Sequence, residues 1–495
     1  MNILASLSFS LLAIMILLST ISSINLPTLA QEEFRQHEFV ENGSPHVTAD
    51  STLSVKVVAE GLDLPTTIAF LGPNDILVLE KDKGTVQRVV NGKMLSQALL
   101  DVSVANSVER CMCGIAVSKQ SSTTYVFLYY TEINGADGED RQGKQPVGNR
   151  LYRYELVTNK LVNPKLLLDL PAYPGPRHNG GAIIIGPDNN LYIPIGDVDG
   201  SFKKTDTETK TQNYNDGGEP DGRSGILRVT QDGQPVGEGI IGNEMPLRLY
   251  YAYGIRNSFG IGFDPVTGKL WDSENGPGDS DEINLVEPGF NSGWQEVQGL
   301  SSMEYGFDPT NLVDFGGKGK YREPELVWQN TAGPTSIVFL NSDKYGSNYQ
   351  NDMFVGDVHN GRIYHFDLTQ DRTHLMLNGP LASKLIKNPN MEGLDQIVFG
   401  EGFGGITDIK VGPDGYLYVV SIGLGKIFKI VPSTSDSSSA SPSKQNSNNI
   451  GSGKNPNENS VGEVKTGSSI ENKESTKVPA TRNVPESKVP GNPFG

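Results

Sequence analysis

One of the six histidines in the chain has neighbours that favour chemistry. His178 lies just before the glycines Gly180 and Gly181, ahead of a hydrophobic segment. Glycines beside a histidine let the backbone and a ligand approach closely, and a neutral imidazole can take a proton from a hydroxyl. The segment therefore predicts a general base in a loop next to a strand. The alternative is an exposed loop histidine without a chemical role.

A second group of reactive residues lies further along the chain. Arg256 and Asn257 stand before a short hairpin, and the turn Gly276-Pro277 follows it. Around that turn are four carboxylates: Glu274, Asp279, Asp281 and Glu282. A fixed positive charge suits an anionic ligand, and carboxylates with turn carbonyls suit calcium. The spacing is not that of an EF-hand, and carboxylates in a turn can instead cap backbone amides.

The segments that must position these residues are short and β-rich. Turns of the type Gly-Pro-Asn or Gly-Pro-Asp, each followed by a strand, begin at Gly72, Gly186 and Gly412. About six such hairpin units recur, which is typical of a radial array of blades. The sequence predicts an all-β fold, a six-bladed β-propeller with long inter-strand loops over residues 52–432. The reactive loops would meet at the mouth of its central channel.

The two ends of the chain differ from this body in composition. Residues 1–30 carry no charged side chain and have an apolar centre, which predicts a secretory signal peptide or an uncleaved N-terminal anchor. Residues 31–51 are polar and predict a linker, and the Ser/Asn/Lys/Pro-rich residues 433–495 predict a disordered tail. We therefore expect a secreted or extracytoplasmic protein, free or tethered by its N-terminal segment, whose tail could contact the cell surface.

The net charge and the cysteine content limit which partners and which metal sites the chain can have. The net charge of −17 argues against a nucleic-acid partner, because phosphates require a basic surface. The only two cysteines, Cys111 and Cys113, would face the same way on a strand. They could form a local disulfide or bind a soft metal, but the favoured interpretation is two small buried residues.

These motifs resemble the central signature of the soluble glucose/sorbosone dehydrogenase family, whose members are β-propellers that use pyrroloquinoline quinone (PQQ) and calcium. The resemblance covers roughly Val55 to Ile430. It implies that His178 is the general base that takes the proton of the sugar C1 hydroxyl. It also implies that Arg256 and Asn257 contact the reactive edge of PQQ, where a cation would stabilise charge on a quinone oxygen.

The resemblance assigns further residues. Glu109 aligns with a cofactor-contacting Gln or Glu of the family, and the carbonyls of Gly276 and Pro277 match those that bind calcium. Two family positions that hold the PQQ carboxylates with Lys and Arg are occupied here by His359 and Thr407. We expect both to face the cofactor.

The missing cations weaken PQQ binding unless other groups replace them. Arg177 and Arg223 are the candidate replacements.

The sequence thus predicts an exported PQQ- and calcium-dependent dehydrogenase that oxidises an aldose or a related sugar alcohol group by hydride transfer. Its partners would be a small-molecule sugar and an external electron acceptor. One alternative is a non-enzymatic, calcium-stabilised binding propeller, which the missing cations favour. The other is a calcium-dependent lactonase-type hydrolase, which would need a metal site built from side-chain carboxylates.

Overall fold

A computed structural model describes residues 43–198 and 208–433 of the chain, which has 495 residues. The regular structure of these residues consists of β-strands and short 3-10 helices. The helices span Glu139–Gln142, Lys210–Gln212, Leu247–Leu249, Ser301–Met303, Pro309–Asn311, Gly379–Ser383 and Leu394–Gln396. In these two ranges no helix is long and apolar enough to cross a membrane.

The strands of the first half are His46–Val47 (β1), Leu53–Glu60 (β2), Pro65–Gly72 (β3), Asp75–Glu80 (β4), Thr85–Val90 (β5), Lys93–Met94 (β6), Leu100–Asp101 (β7), Met112–Lys119 (β8), Thr124–Glu132 (β9), Gly148–Val157 (β10), Lys160–Leu170 (β11), Ile184–Ile185 (β12), Leu191–Ile195 (β13), Gly225–Val229 (β14) and Tyr250–Tyr253 (β15).

The strands of the second half are Ser258–Phe263 (β16), Leu270–Glu274 (β17), Asp281–Val286 (β18), Phe290–Asn291 (β19), Lys320–Tyr321 (β20), Leu326–Trp328 (β21), Pro334–Phe339 (β22), Met353–Asp357 (β23), Ile363–Phe366 (β24), Leu385–Ile386 (β25), Val398–Glu401 (β26), Ile406–Val411 (β27), Leu417–Ser421 (β28) and Lys426–Pro432 (β29).

In the described residues these strands form six sheets, most of them built from consecutive antiparallel strands. We number the sheets from first to sixth by the position of their first hairpin in the chain. They are β3-β4-β5-β6 with β7 paired to β5, β8-β9-β10-β11, β12-β13-β14-β15-β19-β20, β16-β17-β18-β21-β25, β22-β23-β24-β26-β1 and β27-β28-β29-β2. The sixth sheet therefore combines strands from both ends of the described chain.

The recurrent Gly-Pro-Asp turns join the first two strands of a sheet in the same way in two places. Asp188 accepts a hydrogen bond from the hydroxyl of Tyr192 at 3.0 Å, and Asp414 accepts one from Tyr418 at 3.0 Å. The same spacing gives the same contact, so the repeat seen in the sequence is a structural repeat.

The core lies between neighbouring sheets. Each neighbouring pair, including the sixth sheet and the first, shares one cluster of buried apolar side chains. Examples of the paired members are Leu79 and Ile115, Phe127 and Ile193, Ile226 and Ile261, Trp271 and Val355, Ile363 and Ile409, and Ile76 and Val420. Sheets that pack face to face in a closed sequence form a ring, so the predicted all-β propeller fold is confirmed.

The strands β2 and β29 close the ring. β2 begins at Leu53 and β29 ends at Pro432. The predicted linker at residues 31–51, however, contains β1, which pairs with β26 and so belongs to the fifth sheet. Short polar segments pair with a sheet edge when backbone groups there lack partners, and sequence pattern does not reveal this. Residues 1–42 and 434–495, with the predicted signal segment and tail, lie outside the described residues.

Candidate active site

Four of the predicted site residues lie in loops just before the first strand of a sheet. Glu109 comes just before β8, His178 precedes β12, and Arg256 and Asn257 precede β16. The turn that contains Gly276 connects β17 and β18. The first strands β3, β8, β16, β22 and β27, with the segment 180–183 just before β12, line one central cavity, so the loops that precede β8 and β12 meet there.

His178 is a buried histidine whose orientation is fixed. Its backbone adopts a φ of 56°, and its side chain is 4% exposed. Nδ1 lies 2.5 Å from Oδ1 of Asp197, and Oδ2 of that carboxylate accepts a hydrogen bond from Nε1 of Trp294 at 2.9 Å. A carboxylate at Nδ1 places the ring proton there, so Nε2 carries the lone pair. Nε2 is buried and has no hydrogen-bond partner among residues 43–198 and 208–433.

Glu109 connects His178 to Asn257. Its Oε2 accepts a hydrogen bond from the backbone N–H of His178 at 2.7 Å and a longer one from Nδ2 of Asn257 at 3.5 Å. Its Oε1 is buried and has no hydrogen-bond partner in the part of the chain that the structure describes. Burial raises the pKa of Glu109, and the positive charges of Arg256 and Arg177 act against that increase. The carboxyl group is therefore held at the edge of the site with one oxygen free to meet a ligand.

Arg256 lies over the Gly276 turn. Its Nη1 donates to the carbonyls of Asn275 at 2.7 Å and Gly276 at 2.8 Å, and its backbone N–H donates to Oε1 of Glu274 at 2.6 Å. The guanidinium stacks 5.3 Å from the ring centre of Trp294. Burial lowers the pKa of Arg256, while surrounding carboxylates oppose that change. Trp294 thus contacts both the arginine and the carboxylate that orients His178.

Asp281 shapes the turn by capping backbone amides. Oδ1 accepts from the N–H of Gly276 at 2.9 Å, and Oδ2 accepts from the N–H groups of Ala332 at 2.7 Å and Gly333 at 2.9 Å. Its neighbour Glu282 likewise accepts from a backbone N–H, that of Gly299 at 2.5 Å. Asp281 and Glu282 therefore cap backbone amides, as the capping interpretation predicts for them.

Beneath the turn lies a group of buried acids in the fourth sheet. Glu274 and Glu282 are cross-strand neighbours, and Asp272 lies two residues before Glu274. Asp272 is fully buried with Ser258 and Asn284 as its hydrogen-bonding neighbours, and burial together with Glu274 raises its pKa well above the usual range. Burial raises the pKa of Glu274 to about 7. By contrast, the equally buried Asp264 is paired with Arg372 at 2.8 Å.

The central cavity has a volume of about 850 Å³, including the part open to solvent. Glu109, Phe259 and Thr407 lie on its wall, but His178, Arg256 and Gly276 do not. The hydroxyl of Thr407 donates to the carbonyl of Pro65 at 3.0 Å. The structure therefore brings Thr407 to the cavity, but its hydroxyl proton is engaged in a hydrogen bond that links the sixth sheet to the first.

His359 lies away from this cavity wall. Its backbone N–H donates to the carbonyl of Ala332 at 3.2 Å, and its Nδ1 lies 3.5 Å from the carbonyl of Thr331. It thus packs beside the segment that Asp281 holds. Of the candidate replacement cations, Arg223 pairs with Asp221 at 2.7 Å.

The favoured interpretation of the cysteines is wrong, because Cys111 and Cys113 form a disulfide with their Cα atoms 5.1 Å apart. The physical reason is a β-bulge: the pairing of β8 with β9 passes from Met112 to Gly114 and leaves Cys113 out of the ladder. Cys111 and Cys113 both line the central cavity.

Sequence reasoning missed two residues of the site. Asp197 follows β13, and a carboxylate directly after an apolar strand is the signal that could have indicated it. Lys81 is buried, lines the cavity and donates to Asp82 at 3.0 Å; burial lowers its pKa. Its position after β4 carries no comparable signal in the sequence.

A model of the glucose/sorbosone dehydrogenase family matches residues 62–429. Aldose sugar dehydrogenase YliI of Escherichia coli is 24% identical over 391 residues, which cover 78% of this chain and 94% of that protein. Quinoprotein glucose dehydrogenase B of Acinetobacter calcoaceticus is 28% identical over 306 residues, 58% of this chain and 61% of that one.

Solved structures give the same fold. A putative oxidoreductase (glucose dehydrogenase) of Thermus thermophilus matches with a TM-score of 0.58 and 25% identity, over 77% of this chain and 100% of that one. The PQQ-bound aldose sugar dehydrogenase of Streptomyces coelicolor matches with a TM-score of 0.56 and 24% identity, over 78% of this chain and 99% of that one.

Proposed function

We propose that this chain, which belongs to the glucose/sorbosone dehydrogenase family, is an exported, PQQ- and calcium-dependent dehydrogenase that oxidises an aldose or a related sugar alcohol group. The observation that carries the proposal is His178, a buried imidazole with Nδ1 fixed by Asp197 and with Nε2 left without a partner by the described residues. An oriented base with a free lone pair is what the removal of a hydroxyl proton requires. Each of the six sheets would be one blade of a six-bladed propeller.

In the proposed reaction the substrate hydroxyl donates its proton to Nε2 of His178. The imidazolium that forms is stabilised by Asp197, whose second oxygen stays bonded to Trp294. PQQ, when bound, supplies the acceptor for the hydride that leaves the same substrate carbon. Burial of His178 and Asp197 excludes water from the proton transfer, which strengthens the pair.

The residues present fit an anionic quinone at the reactive edge. Within the described ranges, Oε1 of Glu109 and Nε of Arg256 are buried atoms without hydrogen-bond partners. Glu109 contacts the His178 loop, and Arg256 contacts the Gly276 turn. We propose that Arg256 and Asn257 hold the cofactor there, with Glu109 beside them. His359 and Thr407 would lie further along it, where the family has cations.

Calcium is proposed to bind the carbonyls of Gly276 and Pro277. The Gly276 oxygen already accepts from Nη1 of Arg256. A carbonyl has two lone pairs, so a cation can share this oxygen, but the adjacent guanidinium repels it. We therefore expect calcium to bind tightly only together with the anionic cofactor, which offsets the positive charges of calcium and of Arg256.

A binding propeller without the quinone is the second candidate. Two observations favour it: the hydroxyl of Thr407 donates to Pro65, and His359 packs beside the Thr331 carbonyl, so neither presents a fixed positive charge. This candidate keeps the fold and the calcium turn but predicts no oxidation of sugars.

One experiment separates the two candidates: calorimetric titration of the purified full chain with PQQ, with and without calcium, combined with dye-linked oxidation of a panel of aldoses. We expect calcium-dependent binding near one equivalent, with activity on at least one aldose through the dye as external acceptor. If no heat of binding is seen at high micromolar PQQ in the presence of calcium, the dehydrogenase proposal fails and the binding propeller takes its place.

A further inference from the structure

Two segments face each other at the edge of the site. The cysteine segment is residues 109–114, and the histidine segment is residues 175–181. The backbone N–H of Glu109 donates to the carbonyl of Pro176 at 3.1 Å, and the Glu109 side chain accepts from the N–H of His178 at 2.7 Å. The orientation of the histidine segment therefore depends on where the cysteine segment holds Glu109.

The disulfide lies at a β-bulge in the cysteine segment. The pairing of β8 with β9 passes from Met112 to Gly114, so no residue of β9 lies opposite Cys113. The bond to Cys111 restrains Cys113 at this irregularity. Sγ of Cys113 lies 3.8 Å from the carbonyl oxygen of Glu109, so the bond also fixes the position from which the Glu109 side chain extends.

The two segments are in direct backbone contact below this point. A Cβ atom placed on Gly114 would lie 1.8 Å from the carbonyl oxygen of Gly181, and one placed on Gly181 would lie 2.5 Å from Cβ of Cys113. No space is left between them, so a movement of Cys113 displaces the histidine segment.

We propose that the Cys111–Cys113 disulfide is a positioning element of the site, which holds Glu109 against the backbone of His178, and that its reduction loosens the base. A dithiol reductant transfers two electrons and two protons, the S–S bond breaks to give two thiols, and the dithiol becomes a cyclic disulfide. Both cysteines line the cavity, which gives a small reductant access. The effect on catalysis rests on the proposed function, whereas the effect on the histidine segment does not.

The first test uses hydrogen exchange on the purified full chain without cofactor, oxidised and after treatment with dithiothreitol. Alkylation and mass spectrometry establish that both thiols have formed. We expect the His178 amide to exchange about tenfold faster after reduction, because its acceptor Glu109 is released, while peptides from β28 and β29 stay unchanged. Unchanged exchange in residues 175–181, or equal acceleration in β28 and β29, would overturn the positioning role.

The second test follows PQQ binding and dye-linked turnover in the same two forms. We expect kcat to fall about tenfold on reduction and to return on re-oxidation, with KM for the sugar little changed, because the base and not the sugar contacts is displaced. The double variant Cys111→Ser/Cys113→Ser should have the kcat of the reduced protein, and the reductant should not change it. If it fails to fold, the reversible wild-type cycle still decides. Equal kcat in both forms would refute the catalytic consequence.

Failure of the proposed function gives a different result. If the oxidised protein binds no PQQ, the dehydrogenase proposal falls, and the exchange experiment alone still decides whether the disulfide positions the histidine segment.

Discussion

The site has two halves that differ in how complete they are. In the base half, Glu109, His178 and Asp197 are hydrogen-bonded to one another or to neighbours, and among the described residues Nε2 of His178 and Oε1 of Glu109 are left without a partner. In the turn half, Arg256 already donates to the Gly276 carbonyl on which the predicted calcium depends. The base is therefore preorganised, whereas the turn must share its carbonyl before it can bind a cation. Catalytic defects should arise mainly in the first half and cofactor-loading defects in the second.

The largest effect is expected from His178→Gln. Glutamine retains a donor for Asp197 but has no lone pair of suitable basicity, so kcat should fall by about 10⁴-fold. PQQ affinity and the melting temperature should stay near wild-type values. Dye-linked kinetics, calorimetry and thermal melts measure the three quantities. A variant that retains wild-type turnover would show that the base half is not catalytic.

Asp197→Asn should give the next largest effect, a fall in kcat of about 10³-fold with little change in KM. An amide no longer stabilises the imidazolium, as the corresponding change in serine proteases shows. Asp188→Asn is the control, because Asp188 also accepts a hydrogen bond from a buried ring side chain, that of Tyr192. It lies in the hairpin of β12 and β13, away from His178. Equal losses in the two variants would mean that Asp197 acts only through stability.

Asp281→Asn tests the turn half. The amide keeps one acceptor oxygen but replaces the other by a donor, which then faces N–H groups of the Gly276 or Gly333 backbone. We expect the calcium concentration for half-maximal PQQ binding to rise about tenfold, the size typical of a lost supporting contact at a metal. Asp279→Asn, in the same turn but exposed, should change nothing. An unchanged calcium requirement in Asp281→Asn would separate the turn from metal binding.

The smallest effect concerns stability and its pH dependence. The pKa of Glu274 is about 7 in the folded protein and lower when unfolded, so the folded state holds more protons between these values. Stability should therefore fall as pH rises from about 4.5 to 7. Burial and Glu274 make the Asp272 carboxyl resist ionisation, so Asp272→Asn, which puts a neutral amide of the same shape there, should change stability by no more than about 1 kcal/mol at pH 5 or pH 7.5.

The control for that effect is Asp264→Asn. Asp264 is as buried as Asp272 but is paired with Arg372, so its removal should cost about 3 kcal/mol at both pH values. Thermal melts of both variants at pH 5 and 7.5 measure the contrast. If Asp272→Asn destabilises the protein as much as Asp264→Asn at pH 7.5, a partner that compensates its charge must be present.

The parts of the molecule that sequence reasoning could reach are those encoded locally. The repeated Gly-Pro-Asp hairpins predict the fold class because each turn and its tyrosine contact lie within five residues of chain. His178 and Arg256 lie in short contiguous motifs, so the sequence alone indicates both as candidates for the same reason. Asp197 was missed because its role arises only when the β13 loop meets the His178 loop.

Other features depend on register or on distant pairing. The disulfide exists because a bulge places Cys113 outside the ladder, and one residue of register cannot be read from composition. β1 exists because the fifth sheet offers an edge at β26. There His46 pairs with Glu401, which is distant in the sequence. The contact of Arg256 with Gly276 depends on side-chain placement across a hairpin.

The pairing of β2 with β29 has a consequence for the order in which the protein can fold. The hydroxyl of Ser54 donates to the carbonyl of Val431, 377 residues away, so the sequence separation of this pair is close to the largest that the ring allows. During synthesis β2 emerges first and keeps an unpaired edge until β29, the last seven-residue strand, is available. A chain that ends before Lys426 would therefore expose that edge to other chains, and aggregation rather than partial activity is its expected fate.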